Sequence, residues 1–336
     1  MPISLSSGGT EPFDSPRPSI HWTEAGTSCA ALWRSERGAP PPERVAVADD
    51  SITADAAYRL ACEGTALLWR GDFHNATQLL QALARRIDKT PGRKQRSRKS
   101  ESTQCASPAD AFHRHRQAQS QRARVLGLLL LPLNDDYSIA LRRAPDARQA
   151  CADAWGKDPA GAAVGASVAS LRDLLGIISA HEWRKKGVEI SALGDAPNNR
   201  IHPHYGVFSP LRGEYVSLVA TAPLPVTRQA RFVAFDIGTG SGVLAAVLAR
   251  RHIEQVVATD LDPRALACAR DNLARLGVTR QVQVVRADLF PEGKASLVVC
   301  NPPWLPARPT SPLESAIYDE DSRMLLGFLN GLAAHL

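Results

Sequence analysis

The sequence has few cysteines and no long apolar run, and both shortages limit what the protein can be. Its six cysteines are scattered over 336 residues without a CxxC pair. That spacing argues against a disulfide framework or a zinc site and favours reduced thiols in the cytoplasm. The longest apolar run, residues 125–133, is shorter than the roughly 18 residues that a membrane-spanning helix needs, so no membrane association is expected. Residues 1–19 are rich in Ser, Pro and Gly and have no apolar core, so secretion is not indicated.

The composition is sufficient for two folded domains. Hydrophobic residues make up 44% of the chain, so a sizeable core can form. The formal net charge of +6 permits a nucleic-acid partner without requiring one. Residues 1–50 are rich in Pro, Gly and Ser, a composition typical of a disordered segment.

Apolar spacing in the region after this segment predicts both helices and strands. Ala and Leu recur there at helical intervals, and short apolar runs interrupt them. The expected helices are 53–70, 75–88, 107–124 and one near 171–175. The expected strands are 126–131, 137–141 and one near 188–193.

A basic stretch divides this region. Residues 89–100 carry six Lys or Arg and no acid. Such a run predicts a solvated loop or linker. The alternative is a contact with nucleic acid, in which case the attraction to phosphate would depend strongly on salt. No aromatic residue is interleaved, which favours the solvated loop.

A glycine turn (residues 238–242) follows an apolar run at residues 232–235. Glycines stand at its alternate positions, and a helical pattern begins at Val243. This order predicts a buried strand, a tight turn and a helix start, as in a nucleotide-binding α/β unit. Asp260 follows about 20 residues later, where an acid can hold two ribose hydroxyls. Val243 stands where the nicotinamide fingerprint has a further glycine, which disfavours a nicotinamide oxidoreductase.

The second chemical motif is Asn301-Pro302-Pro303-Trp304, directly after a short apolar strand. The Asn301 side chain and the Pro302 carbonyl would accept hydrogen bonds from a substrate N–H. Two prolines fix the backbone and remove donors, so this wall would offer acceptors. Trp304 would supply a flat face for a base or an amide plane. The alternative is a strand-ending turn with a core tryptophan.

From about residue 203 to residue 336 the chain resembles the class I S-adenosylmethionine-dependent methyltransferases. Residues 236–242 are similar to the family's first motif, whose glycines let the backbone approach the methionine part of the cofactor. Asp260 matches the acid that holds the ribose, and Asp288 matches the residue beside the adenine amino group. The resemblance implies that S-adenosylmethionine is bound by Asp236, Gly238, Thr239, Gly240, Gly242, Asp260, Leu261, Asp288, Leu289 and Asn301.

The second motif matches the substrate motif of family members that methylate planar nitrogens. Their acceptors include exocyclic amines of adenine and guanine and the glutamine amide of release factors. The resemblance therefore implies an N-methyltransferase that needs no metal and acts on a release-factor-like protein or on RNA or DNA. Its implied catalytic residues are Asn301, Pro302, Pro303 and Trp304. The alternative is a methyltransferase-like fragment that binds the cofactor or a partner without catalysis.

Residues 203–216 resemble the segment before the glycine turn in release-factor glutamine methyltransferases. Tyr205, Phe208 and Glu214 would then border the methionine end of the cofactor. The alternative interpretation is an ordinary turn that begins a helix at residues 213–220.

The implied fold is α/β, with the Rossmann-like doubly wound sheet of class I methyltransferases after a mixed α+β N-terminal domain. Its expected strands are 232–235, 255–259, 281–285 and 297–300. A complete domain of this class usually has seven strands, so we expect this one to be incomplete at its C-terminus. The expected organisation is a disordered segment at 1–50, a substrate-recognition domain at 51–200 with the basic loop 89–100, and a catalytic domain at 201–336.

Overall fold

The computed structural model describes residues 18–89, 108–156, 165–211, 213–226, 231–309 and 314–336. The basic stretch from residue 90 onward and residues 1–17 lie outside these ranges, so the predictions for them stay predictions. The chain forms two compact units. The first comprises residues 1–35, 39–146 and 162–173, and the second comprises residues 36–38, 147–161 and 174–336. The second unit thus includes residues that precede 201, the expected start of the catalytic domain.

The first unit, as far as it is described, is built on a mixed six-stranded sheet. In chain order it contains β1 (Ser19–Glu24), β2 (Thr27–Arg34), β3 (Arg44–Ala48), α1 (Ala54–Cys62), β4 (Thr65–Trp69), α2 (Phe73–Lys89), α3 (Pro108–Leu126), β5 (Leu129–Leu133) and β6 (Ser167–Ser170). The strand order is β1-β2-β6-β5-β4-β3, and β3, β4 and β5 run parallel. The mixed α+β character expected of the N-terminal domain is confirmed.

The expectation that residues 1–50 are disordered is wrong for the part of them that the structure describes. Residues 19–24 pair with residues 27–32 in an antiparallel hairpin. Its turn residues, Ala25 and Gly26, have φ of 49° and 79°, and a two-residue turn of this kind requires positive φ at both positions. The prolines that suggested disorder lie outside these two strands, so they do not interrupt the backbone pairing between them.

Two expected elements of this unit are also wrong. The helix predicted for 53–70 ends at Cys62, because Gly64 adopts a left-handed φ of 84° and the chain turns into β4. A short apolar run fits a helix or a buried strand equally well. Residues 65–69 form a strand here because they pair with β3 and β5. The strand predicted for 137–141 is replaced by a turn, in which Tyr137 has φ of 65° and donates its N–H to the Asn134 carbonyl.

The second unit contains a parallel four-stranded sheet. Its elements in chain order are α4 (Arg148–Trp155), α5 (Leu171–Lys186), whose first residues belong to the first unit, β7 (Val188–Glu189), β8 (Arg200–Ile201), α6 (Glu214–Thr221), β9 (Val233–Ile237), α7 (Val243–Arg250), β10 (Gln255–Asp260), α8 (Pro263–Arg275), β11 (Val282–Arg286), β12 (Leu297–Cys300) and α9 (Arg323–His335). The order of the parallel strands is β11-β10-β9-β12. Among the described helices of both units, none has the length and apolarity to cross a membrane.

Helices cover both faces of the parallel sheet, because successive strand residues point to opposite sides. Ala234 and Val256 pack with helices α7 and α8. Phe235 and Val257 belong to a separate core that helix α9 covers through Phe328. The predicted doubly wound sheet is therefore confirmed. As far as the structure describes it, β12 forms one edge of this sheet.

The strand order places the two chemical motifs at one point of the fold. Strands β10 and β11 lie on one side of β9, and β12 lies on the other. In doubly wound sheets, ligands bind outside the carboxyl ends of the strands where the strand order reverses. Here that point lies between β9, which leads into the glycine turn, and β12, which leads into Asn301.

Candidate active site

The glycine turn needs left-handed backbone at three positions. Gly238, Gly240 and Gly242 have φ of 70°, 53° and 81°, which residues with a side chain rarely adopt. Space is also short at both ends of the turn. A Cβ on Gly238 would lie 2.6 Å from Met324 Cε, and one on Gly242 would lie 3.1 Å from Ala269 Cα. The backbone of the turn therefore lies directly against α8 on one side and α9 on the other.

Asp236 holds this turn from inside the sheet. Its side chain is 1% exposed, and its Oδ2 accepts hydrogen bonds from Thr239 Oγ1 at 2.6 Å and from the Ala245 N–H at 3.0 Å. Burial raises the pKa of Asp236 to about 6. The carboxyl thus links the glycine turn to the first turn of α7.

Asp260, at the end of β10, faces the same turn. Its Oδ2 accepts the Gly240 N–H at 3.0 Å, and its Oδ1 accepts the Asp262 N–H at 3.0 Å. Burial raises the pKa of Asp260. Each carboxylate oxygen has a further lone pair, so the residue can still accept bonds from two hydroxyls.

The glycine turn and the residues after β12 share a cavity of about 180 Å³. Asn301 and Pro303 line it together with Gly238, Gly240 and Asp260. This cavity brings residues of the two predicted motifs together at the reversal of the strand order. A concave site with a few converging polar groups is the usual form of a small-molecule site.

Two residues of the second motif lie outside the described lining of this cavity. Pro302 does not contribute to it, and Trp304 is 53% exposed. The Trp304 ring meets Phe208 edge-on, with 6.4 Å between ring centroids and 84° between planes. Because Phe208 lines the cavity, Trp304 stands beside the cavity and presents apolar surface to solvent.

The segment before the glycine turn contributes different residues from those predicted. Of the three residues predicted there, Phe208 lines the cavity, whereas Tyr205 and Glu214 are not in its described lining. Val207 and Tyr215 line it instead. Burial raises the pKa of Tyr215 to about 12, so its phenol is neutral at physiological pH.

Asp288, predicted for the adenine amino group, and two further predicted cofactor residues line a second cavity, of about 700 Å³. Leu261, Asp288 and Leu289 lie there, and the Asp288 carboxylate accepts a hydrogen bond from Arg323 at 3.1 Å. Both cavities are bordered by Gly238, Asp260, Asp262 and Met324. Nine of the ten predicted cofactor residues therefore line one or both of these adjoining cavities, and Gly242 lines neither.

Sequence analysis missed the residues that place helix α9 against the turn. Asp319 is 8% exposed, and its carboxylate accepts the N–H groups of Met324 at 3.0 Å and Leu325 at 3.1 Å. An acid just before a helix is a recognisable capping signal. The contact between Met324 and Gly238 is a tertiary contact between distant positions, and no local signal predicts it.

Part of this unit is similar to known proteins. The methyltransferase small domain family model matches residues 198–314. A ribosomal protein L11 methyltransferase from Pelotomaculum thermopropionicum is 51% identical over 69 residues, covering 20% of this chain and 22% of that protein. A release factor glutamine methyltransferase from Cereibacter sphaeroides is 42% identical over 76 residues, covering 21% of this chain and 27% of that protein. The chain spans about a quarter of the length of these curated relatives.

A solved structure was also found, the ribosomal protein L11 methylase from Lactobacillus delbrueckii subsp. bulgaricus. It is 21% identical, with a TM-score of 0.31, and the match covers 42% of this chain and 65% of that one. The fold assignment rests on the strand order and the family match, not on this likeness. Residues 198–314 of this chain are similar to the methyltransferase small domain family.

Proposed function

We propose that the protein is an S-adenosylmethionine-dependent N-methyltransferase that transfers a methyl group to a planar nitrogen. The observation that carries this proposal is the shared cavity, in which Asn301 and Pro303 lie together with the glycine turn and Asp260. A turn that admits a cofactor and a corner that accepts substrate N–H bonds are the two parts that such a transfer needs. The match of residues 198–314 to the methyltransferase small domain supports it.

The residues around the two cavities fit S-adenosylmethionine. Gly238 and Gly240 leave the backbone of the turn accessible to the methionine part, and the Asp260 carboxylate is available to ribose hydroxyls. Asp288 would take the adenine amino group, between Leu261 and Leu289 in the lining of the second cavity. When bound, the cofactor supplies a methyl group already activated by a positively charged sulfur.

The acceptor nitrogen would be held by the second motif. An amide or aromatic amine is a weak nucleophile, because its lone pair is delocalised into the adjacent π system. The Asn301 side chain and the Pro302 carbonyl would accept its two N–H bonds and favour a pyramidal nitrogen. Trp304, exposed beside the cavity, would stack on the acceptor plane. Holding two reactants in line contributes several kcal/mol of barrier reduction.

Two classes of acceptor fit this corner, a protein glutamine amide and an exocyclic amine of a nucleobase. Relatives named for ribosomal protein L11 and for release factors favour a protein. The six basic residues in 89–100 favour a nucleic acid. Both acceptors occur in the cytoplasm, the location that six cysteines without a CxxC pair favour.

Transfer of tritiated methyl groups tests the proposal, with purified release factor, ribosomal protein L11 and ribosomal RNA offered separately. Incorporation into one of them is expected. Asn301→Ala should lower kcat by about a hundredfold, a larger factor than the rise in the Kd of S-adenosylhomocysteine measured by calorimetry. The matched control is Asn330→Ala, at an exposed position of α9.

The calorimetry also separates the alternatives. A protein that binds no S-adenosylhomocysteine would contradict the proposed cofactor. Binding without transfer to any of the three acceptors would instead support a fragment that binds the cofactor and does no chemistry.

A further inference from the structure

One buried side chain, Asn272 of α8, joins the glycine turn to the segment that precedes the cavity. Asn272 has no exposed surface. Its Oδ1 accepts the His202 N–H at 2.8 Å. Its Nδ2 donates to the carbonyl oxygens of His202 at 3.3 Å and Ser241 at 3.0 Å. A single amide of α8 therefore contacts two other segments of the chain, at His202 and at Ser241.

Neighbouring residues of α8 hold the same segment. The His204 N–H donates to Cys268 Sγ at 3.3 Å, and His204 Nε2 lies 2.9 Å from Asp271 Oδ2. Positions 268, 271 and 272 share one face of the helix, because residues three and four apart are neighbours there. Residues 202–204 are therefore fixed along α8 by backbone and side-chain bonds.

The two ends that Asn272 connects both lead to the cavity. Val207 and Phe208 follow the pinned segment and line the cavity. Ser241 belongs to the glycine turn and lines it as well. Asn272 itself is outside the described lining, so it can act on the cavity only through these neighbours.

We propose that Asn272 is a positioning residue, which sets the glycine turn at a fixed distance from the Val207–Phe208 wall. This inference rests on the proposed function, in which the turn meets the methionine part of the cofactor. An amide suits the position because it offers donors and an acceptor at once. An ionised Asp of the same shape offers only acceptors, and it would face the carbonyl oxygens of His202 and Ser241.

Asn272→Asp tests this role, because the new carboxyl can be protonated. At about pH 8 its charge opposes two carbonyls, and the affinity for S-adenosylhomocysteine should fall roughly tenfold. At about pH 5.5 a protonated, buried Asp can donate to the Ser241 carbonyl, and most of the affinity should return. Each value is compared with wild type at the same pH. The matched control Asn330→Asp, on an exposed helical position, should bind like wild type at both values.

Hydrogen exchange of the wild-type protein supplies a second measurement. It tests the proposal even when Asn272→Asp does not fold. The His202 amide should exchange slowly without ligand, because its N–H is bonded to a buried acceptor. S-adenosylhomocysteine should slow exchange throughout residues 202–208. Exchange as fast as in an exposed loop would overturn the proposal.

Failure of the two proposals can be told apart. Wild-type protein that binds no S-adenosylhomocysteine contradicts the proposed function. If the wild-type protein binds S-adenosylhomocysteine, two results for Asn272→Asp contradict only the role of Asn272. One is an affinity equal to that of wild type at about pH 8, and the other is an affinity that does not recover at about pH 5.5.

Discussion

The backbone N–H of Gly240 donates to the Asp260 carboxylate across 3.0 Å, and this bond joins the turn after β9 to the end of β10. One acid thereby fixes the shape of the glycine turn and, in the proposed function, faces the ribose. The same carboxylate borders both cavities. Removing this carboxylate should weaken cofactor binding more than it lowers the stability of the fold.

We therefore expect Asp260→Ala to weaken S-adenosylhomocysteine binding by about ten- to a hundredfold, because charge-assisted hydrogen bonds of roughly 1.5–3 kcal/mol are lost. Calorimetry measures this directly. Asp195→Ala, at an exposed position of the same unit, is the control. Equal affinity in Asp260→Ala and wild type would contradict the role given to this acid.

The contact between Gly238 and Met324 predicts a larger penalty for one glycine than for another of the same conformation. Gly238 and Gly277 both have φ of 70°, but a Cβ on Gly277 meets nothing within 4 Å, whereas one on Gly238 meets Met324. Gly277→Ala should cost about 1–2 kcal/mol of unfolding free energy from backbone strain alone. Gly238→Ala should cost about 1 kcal/mol more, because the terminal methyl group of Met324 must move to make room.

Urea denaturation of both variants measures this difference. In the Gly238→Ala background, Met324→Ala should remove the clash and return part of the lost stability. If the two glycine variants unfold at the same urea concentration, Met324 does not restrict position 238.

Burial of Asp236 predicts a pH dependence of stability. Its pKa is raised to about 6 in the folded protein, above the usual value for Asp. Between about pH 4 and pH 6 the folded state keeps a proton that the unfolded chain has released, so stability falls as the pH rises through this window. The loss from this one group is about 3 kcal/mol at most.

Asp236→Asn keeps an oxygen for the bonds from Thr239 and Ala245 but carries no charge. We expect its unfolding free energy to decline less than that of wild type between about pH 4 and pH 7. Urea denaturation at several pH values compares the two proteins. Parallel curves for both would show that Asp236 does not titrate in this range.

The exposed Trp304 predicts a loss of activity without a loss of stability. Trp304→Ala should change the unfolding free energy by about 0.5 kcal/mol or less, as surface substitutions usually do. It should raise the KM for the methyl acceptor roughly tenfold, because stacking on an aromatic face is worth about 1–3 kcal/mol. Trp183→Ala is the matched control, since Trp183 on α5 is 44% exposed. Equal transfer rates in all three proteins would contradict a stacking role.

Local patterns were sufficient to predict the centre of the second unit. Alternate glycines after an apolar strand, and an acid ending the next strand, predicted the turn that Asp236 and Asp260 hold. These features depend on backbone geometry within a few residues, so the sequence reveals them directly. The strand order then brings Asn301 to the same cavity.

The features that sequence analysis missed depend on contacts between distant positions. The local pattern of residues 65–69 predicts a helix, and only their pairing with β3 and β5 shows that they form a strand. Met324 and Asn272 lie in ordinary helical patterns, and only packing shows that one meets Gly238 and the other binds Ser241. Composition was also misleading near the N-terminus. Its prolines suggested disorder, although residues 19–24 and 27–32 pair as an antiparallel hairpin.

The glycine turn is packed between helices α8 and α9, and this packing limits how the site can be engineered. A library that randomises residues 238–242 alone should favour glycine at positions 238 and 242, where a Cβ would approach Met324 and the backbone of Ala269 closely. Position 240 has open space around it and should tolerate Asn or Asp, which accept left-handed backbone most readily. Varying Met324 in the same library should admit other residues at position 238, whereas position 242 meets the backbone of Ala269, which no substitution removes.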